Sequence, residues 1–208
     1  PIFNIQGYVH TLLDGALYDK KVNEKYLLRT SKSIDRLIAI VDDLDALARL
    51  ESDELKLEKT TWDILELIQE VFESFEVKRV EKNMKFISTK HKKPIFVFAD
   101  RDQISQVLYN LISNGMKYGK KTGYVQSSVK VQGNKIWVSI KDNGIGIEKN
   151  NIPRLFERFY RVDKGRSREA GGTGLGLAIV KHIVEAHSEH IQVNSIKNSG
   201  TEFKFSIL

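Results

Sequence analysis

The chain has 208 residues, 41% of them apolar, with 33 Lys and Arg against 27 Asp and Glu, a net charge of +6 and no cysteine. This is an ordinary globular composition with room for one domain of usual size and a smaller module, and it excludes a disordered chain. The lack of Cys excludes disulfides and thiolate metal sites and fits a reducing compartment. Basic residues are scattered, with short groups such as Lys92-Lys93 and Lys120-Lys121, as on a solvated surface. No basic stripe with interleaved aromatics is present, so no nucleic-acid partner is expected. No apolar run approaches the roughly 18 residues that a membrane-spanning helix needs, and no signal-peptide pattern opens the chain. Helix-patterned sequence begins at Pro1 without a cap signal, the expectation for a piece of a longer protein in which any membrane segment lies upstream.

Residues 1–51 read as two helices. Ile2, Ile5, Val9, Leu12 and Ala16, then Leu27, Ile34, Leu37, Val41, Leu44 and Ala48, recur at steps of three and four, a heptad seam. Gly15 and Asp19-Lys20-Lys21 separate the helices. Two such helices cannot enclose a core alone. Pairing with a second copy gives a four-helix bundle, so a homodimer through residues 1–51 is expected. The alternative is that the hairpin packs on the rest of the chain.

Residues 52–61 read as a linker running into a short strand. Ile64, Leu67, Ile68, Val71, Phe72 and Phe75 mark an amphipathic helix starting near Thr61 or Asp63, both good caps. Lys85–Thr89 and Ile95–Ala99 read as strands. Asp100 is placed to cap a helix carrying Ile104, Val107, Leu108, Leu111 and Ile112. Residues 125–131 and 135–141 read as a β-hairpin turning at Gln132-Gly133-Asn134. A loop of about 25 residues follows, a length typical of functional lids. A helix over 175–187 and two strands hinged at Asn198-Ser199-Gly200 close the chain. Helices and strands mix without a βαβ repeat, so the fold class is α+β.

Three segments carry chemistry. Asp142-Asn143-Gly144-Ile145-Gly146-Ile147 follows a strand. Its carboxylate can accept a hydrogen bond from an exocyclic amine such as that of adenine, whereas guanine would offer a repelling oxygen. Gly144 and Gly146 leave room for a ligand near the backbone; the same residues also make a good turn. Gly171-Gly172-Thr173-Gly174-Leu175-Gly176-Leu177 runs into a helix, exposing N–H groups where the helix dipole favours an anion. It is neither a P-loop nor a dinucleotide fingerprint. Asn110, Asn114 and Lys117 follow i, i+4, i+7 spacing and share one helix face, with Tyr118 beside them. Asn amide oxygens are hard ligands suited to Mg²⁺, and Lys suits phosphate.

Together these segments resemble the motifs of bacterial sensor histidine kinases. Asn110-Leu-Ile-Ser-Asn114-Gly-Met-Lys117-Tyr118 resembles the N box, and Asp142-Asn-Gly144-Ile-Gly146-Ile147 the G1 box. Phe156-Glu-Arg-Phe159-Tyr160-Arg161 resembles the F box, and Gly172-Thr173-Gly174-Leu175-Gly176-Leu177 the G2 box. All four stand in the family's order, and residues 1–51 resemble its dimerisation and phosphotransfer hairpin. The resemblance implies a Bergerat ATP-binding sandwich over 62–208, a mixed sheet with helices on one face. It implies a two-component kinase using ATP and Mg²⁺, with a response-regulator receiver domain as partner. It also implies a cytoplasmic domain of a protein anchored in the bacterial membrane.

Residue by residue, the resemblance makes Asn114 the metal ligand and Asn110 a contact to metal or phosphate. Lys117 would touch phosphate, Tyr118 would pack near sugar and base, and Asp142 would bind the adenine amine beside Gly144, Gly146 and Ile147. Arg161 would reach the terminal phosphates. Gly172, Thr173, Gly174, Leu175, Gly176 and Leu177 would close the lid and present N–H groups. Asn110, Lys117 and Arg161 are the residues expected to support catalysis. Pro1-Ile2 resembles the tail of the H box, which places the acceptor His five residues before Pro1. His10 is in the wrong place, and His91, His182, His187 and His190 lack metal-ligand spacing. Ser188-Glu189 stands where Gly-Gly is common, and Gly115 where Ala is frequent. Clamp ATPases of the Hsp90, gyrase B and MutL kind carry a water-activating Glu where this chain has Asn110, and an amide cannot act as a general base. A non-enzymatic dimeric scaffold is the third alternative.

Overall fold

Helix α1 spans Ile2–Leu13 and helix α2 Asn23–Glu51, with a single 3₁₀ turn at Ala16–Tyr18 between them. The break occurs where Gly15 takes φ +117°, a left-handed value that stops the helix. The two helices pack as an antiparallel hairpin. Tyr8 and Tyr26 meet with ring centroids 5.8 Å apart, and the Arg29 guanidinium lies over both rings. Within α1 only Leu12 is buried; Ile2, Val9, Leu27, Ile34, Val41 and Leu44 of the heptad seam are exposed. This computed structural model describes residues 1–51, 56–162 and 172–208. The first part of the 52–61 linker, Gly171 of the glycine-rich segment and most of the basic part of the lid loop lie outside them.

Strand β1 (Lys59–Asp63) pairs antiparallel with β3 (Phe96–Asp100) in a two-stranded sheet. Asp63, rather than Thr61, caps helix α3 (Ile64–Ser74). Its carboxylate accepts from Leu65 N and also from Ile95 N, each at 3.0 Å. One side chain thus starts the helix and fixes the strand entering beside it. Helix α4 (Glu76–Glu81) and strand β2 (Lys85–Ser88) follow.

Asp100 caps helix α5 (Arg101–Tyr118) by accepting from Gln103 N at 3.1 Å, and its other oxygen accepts from Glu58 N. The apolar positions at steps of three and four, Ile104, Val107, Leu108, Leu111 and Ile112, are all essentially inaccessible. Each such side chain contributes roughly 1.5–3 kcal/mol of burial.

The main sheet has the order β2-β4-β5-β7-β6, with β2 and β4 parallel and every other pair antiparallel. Its strands are β4 (Tyr124–Gln132), β5 (Lys135–Asp142), β6 (Ile191–Ile196) and β7 (Gly200–Ile207). Helix α6 (Gly176–Ala186) packs beside α5, and α3, α5, α6 and the inner face of the sheet share one core. The segment between β5 and α6, read from sequence as one long loop, carries a 3₁₀ turn at Lys149–Arg154.

Strand periodicity places the key carboxylate. Ile136, Val138 and Ile140 of β5 face the core, and Asp142 is the next residue on that side, buried at 7% exposure. It lies beneath Gly115 of α5. A Cβ built there would come within 3.5 Å of Asp142 Cβ and 3.1 Å of Val125 Cγ2. The missing side chain lets the helix sit low over the end of the strand.

Candidate nucleotide site

The polar face of α5 and the glycine-rich loop before α6 converge. A Cβ at Gly176 would stand 2.7 Å from Asn110 Oδ1, and one at Gly172 would overlap Lys117 Nζ. Asn110 donates its amide to Gln106 O at 3.1 Å, leaving its oxygen facing the loop. Asn114 is half-buried on the same face and makes no side-chain hydrogen bond to any described residue. Its hard amide oxygen therefore fits a cation such as Mg²⁺.

The Lys117 ammonium lies 5.1 Å from the centre of the Tyr118 ring. Burial, reinforced by the positive charges of Arg161, Arg36 and Lys82, pushes the Lys117 pKa down to about 8. Lys82 itself donates to Met116 O at 2.9 Å. Burial also pushes the Tyr118 phenol up, against the lowering effect of Arg161. A half-buried ammonium among like charges is an anion site in want of an anion.

Asp142 Oδ1 accepts from Gly144 N at 2.7 Å. Burial holds its pKa above the ordinary carboxylate range, while hydrogen bonds from the Gly144 and Thr201 amides pull the other way. The following loop is pinned on both sides. Ile145 N donates to Tyr118 O at 3.1 Å, and Asn198 N donates to Ile145 O at 2.6 Å. Ile147 N donates to Ser195 Oγ at 2.8 Å, and Ser195 reaches on to Gly200 O and Thr201 Oγ1. Gly146 has φ +63°, and a Cβ there would overlap Ile196 O, so only glycine fits.

Gly174 has φ +82° and faces Phe159, whose own φ is +61°; Phe159 N donates to Gly174 O at 2.9 Å. The F-box segment is thereby tied to the loop that precedes α6. Leu175 is wholly buried and Leu177 packs against the core, so they anchor the loop rather than line it. Arg161 is half-buried, and its charge acts on both Lys117 and Tyr118.

Two hairpin residues at this site went unnoticed in the sequence. Thr173 Oγ1 donates to Asp43 Oδ2 at 2.6 Å while accepting from Leu175 N at 3.2 Å. Burial raises the Asp43 pKa, opposed by this bond from Thr173. Arg36 lies on the same α2 face as Asp43, seven residues earlier. Polar residues on a long helix, with 130 positions between Asp43 and Thr173 and more for Arg36, leave no local signal that could have found them. His187 also gains a role. It is buried, accepts from Asp100 N at 3.0 Å through Nε2 and donates from Nδ1 to Ile183 O at 2.8 Å.

Residues 99–208 match the family described as histidine kinase-, DNA gyrase B- and HSP90-like ATPases. The whole chain is 36% identical to the sensor histidine kinase WalK of Bacillus subtilis strain 168, of which it spans about a third (34%). It superposes on the histidine kinase ThkA, solved in complex with the response regulator protein TrrA, with a TM-score of 0.81 and 28% identity, over 100% of this chain and 57% of that one. It also superposes on full-length ShkA in complex with AMPPNP, with a TM-score of 0.76 and 26% identity, over 90% of this chain and 38% of the other. The chain belongs to the histidine kinase-, DNA gyrase B- and HSP90-like ATPases, and within them to the bacterial sensor histidine kinases of two-component systems.

Proposed function

We propose that this chain is the kinase core of its parent protein, binding ATP with Mg²⁺ and presenting the γ-phosphoryl group to a histidine imidazole. The observation that carries this reading is the closure of the glycine-rich loop onto the polar face of α5, Gly172 on Lys117 and Gly176 on Asn110. The buried carboxylate of Asp142 accepts the adenine amine, with Gly144, Gly146 and Ile147 beside the ring and Tyr118 against the sugar and base. Lys117 and Arg161 hold the phosphates. The N–H groups of Gly172, Thr173, Gly174, Gly176 and Leu177 would face the same anion at the start of α6, while Leu175, whose N–H is held by Thr173 Oγ1, anchors the loop. Asn114, with Asn110 beside it, would hold Mg²⁺, which would supply neutralisation of phosphate charge.

Catalysis is mostly positioning. The imidazole nitrogen attacks the γ-phosphorus, and the β–γ bridging oxygen leaves with ADP. Asn110, Lys117 and Arg161 stabilise the charge that spreads over the transferring group. Asn110 is an amide and activates no water, which favours transfer over hydrolysis.

We assign residues 1–51 to the dimerisation and phosphotransfer hairpin, 52–61 to a linker and 62–208 to the ATP-binding unit, with β1 crossing position 62. The acceptor histidine is assigned to the residues that precede Pro1 in the H-box pattern. The exposed seam of Ile2, Val9, Ile34, Val41 and Leu44 supports pairing with a second copy into a four-helix bundle. A response-regulator receiver domain takes the phosphoryl group from the hairpin, as the ThkA–TrrA complex suggests by analogy. Among the described residues no helix is long and apolar enough to cross a membrane. Anchoring of the parent protein in the bacterial membrane, with this part in the cytoplasm, is assigned to segments upstream.

The test is incubation of the chain with γ-labelled ATP, Mg²⁺ and a hairpin carrying an H-box histidine. Label on that hairpin supports the reading. Steady phosphate release without label would instead mark a clamp ATPase.

A further inference from the structure

The hairpin meets the loop before α6 at Thr173, and Arg36 stands on the same face of α2 with an Nε that has no hydrogen-bond partner. The Thr173–Asp43 hydrogen bond holds α2 against the loop that precedes α6. Arg36 lies two helical turns from Asp43 on the same face, about 10 Å along the axis. Its Nε is enclosed and has no hydrogen-bond partner, and no described carboxylate forms an ion pair with its guanidinium. Asp43 is bonded to Thr173 instead. The charge of Arg36 acts directly on Lys117, together with that of Arg161. Cations from α2, α5 and the lid thus act on one another at this site. An enclosed guanidinium N–H left unpaired is costly, and a phosphate oxygen is the acceptor that its fork fits best.

We propose that Arg36 is a ligand for the outermost phosphate of the bound nucleotide, contributed by the hairpin to a site otherwise built from Lys117 and the lid. This rests on the nucleotide reading above and adds a residue from outside the ATP-binding unit. The hairpin meets the site at Thr173, and the charge of Arg36 acts on Lys117, both on the side assigned to the phosphates, so Arg36 is assigned to a terminal phosphate rather than to those nearer the sugar. The docked hairpin then discriminates ATP from ADP, and triphosphate binding and hairpin docking reinforce each other.

The experiment is displacement of a fluorescent adenine nucleotide by ATP and by ADP, each with Mg²⁺, from the wild-type chain and from Arg36→Gln and Arg36→Lys. Losing one charge-assisted contact to phosphate is expected to weaken ATP about tenfold in Arg36→Gln and ADP by less than about twofold. Arg36→Lys keeps the charge and should retain more of the ATP preference than Arg36→Gln. Equal weakening of both nucleotides would overturn the proposal, since it would mean that Arg36 only holds the hairpin in place. Unchanged affinity for both in Arg36→Gln would overturn it as well. In either case wild-type binding leaves the nucleotide reading standing. Failure of the wild-type chain to bind either nucleotide would bring down that reading and this one with it.

Discussion

The ammonium of Lys117 lies directly beneath Gly172, so close that a methyl group on the glycine would overlap it. The lid is therefore seated on the lysine rather than hovering above it. Gly172→Ala is expected to push the flexible end of Lys117 aside and leave the backbone where it is. ATP affinity should fall about tenfold, the value of one charge-assisted contact. Thermal denaturation should be unchanged within about 2 °C, because no core contact is lost. A large drop in melting temperature would show that the glycine serves the fold instead.

Lys117 also makes binding depend on pH. Burial and its cationic neighbours bring its pKa from 10.5 down to about 8 in the free protein. A phosphate beside it favours the charged form and raises that value again. ATP affinity is therefore expected to be flat below pH 8 and to fall as pH rises through 8 towards 10. Calorimetry in buffers of different ionisation heat should record uptake of close to one proton per ATP at pH 9 and about a tenth of a proton at pH 7. Lys117→Arg, which stays charged throughout, should flatten the profile.

Glu189 tests the fold rather than the site. Its side chain is 3% exposed, 2.7 Å from Lys135 Nζ, and hydrogen-bonded to the Ser206 hydroxyl. Burial pushes the carboxyl up, but hydrogen bonds from Lys135 and Ser206 outweigh it and hold the pKa below the ordinary value of 4.5. A depressed carboxyl contributes stability above that ordinary value and loses it as pH falls through the folded one. Glu189→Gln should cost about 1–2 kcal/mol at pH 7, because Lys135 is partly exposed. The gap between variant and wild type, measured by denaturant unfolding, should narrow as pH falls below 4.5.

Asp63 and Asp100 announce α3 and α5 in the sequence because a capping carboxylate precedes a run with helical spacing, and both caps form. The β4–β5 hairpin is legible from its alternation and its Gly133-Asn134 turn. Helix α4 is not, since it buries no residue and leaves Val77 and Val80 exposed, so no periodic signal exists. The parallel pairing of β2 with β4 depends on tertiary packing between segments about 40 residues apart. Within the site, Asp142, Gly172, Gly176, Asn110 and Lys117 are legible as motifs, and the fold brings them to adjoining places. Arg36 and Asp43 are not legible, because only the docking of α2 gives them a neighbour. Ser188-Glu189 reads as a changed turn, and Ser188 indeed takes φ +62°; the buried pair with Lys135 has no sequence signature.

The measurement closest to the centre of this account is a calorimetric titration of the wild-type chain and of Asp142→Asn with ATP and with GTP, each with Mg²⁺. Asp142 is buried at the end of β5, with its carboxylate already accepting from Gly144 and Thr201. An amide in its place would turn an N–H toward one of those donors or toward the adenine amine, leaving buried groups unpaired. The wild type should bind one ATP per chain and GTP at least about a hundredfold more weakly, as expected of a site built around a single exocyclic amine. Asp142→Asn should lose ATP binding and keep its fold. Equal affinity for ATP and GTP, or unchanged ATP affinity in Asp142→Asn, would contradict the adenine site on which the rest depends.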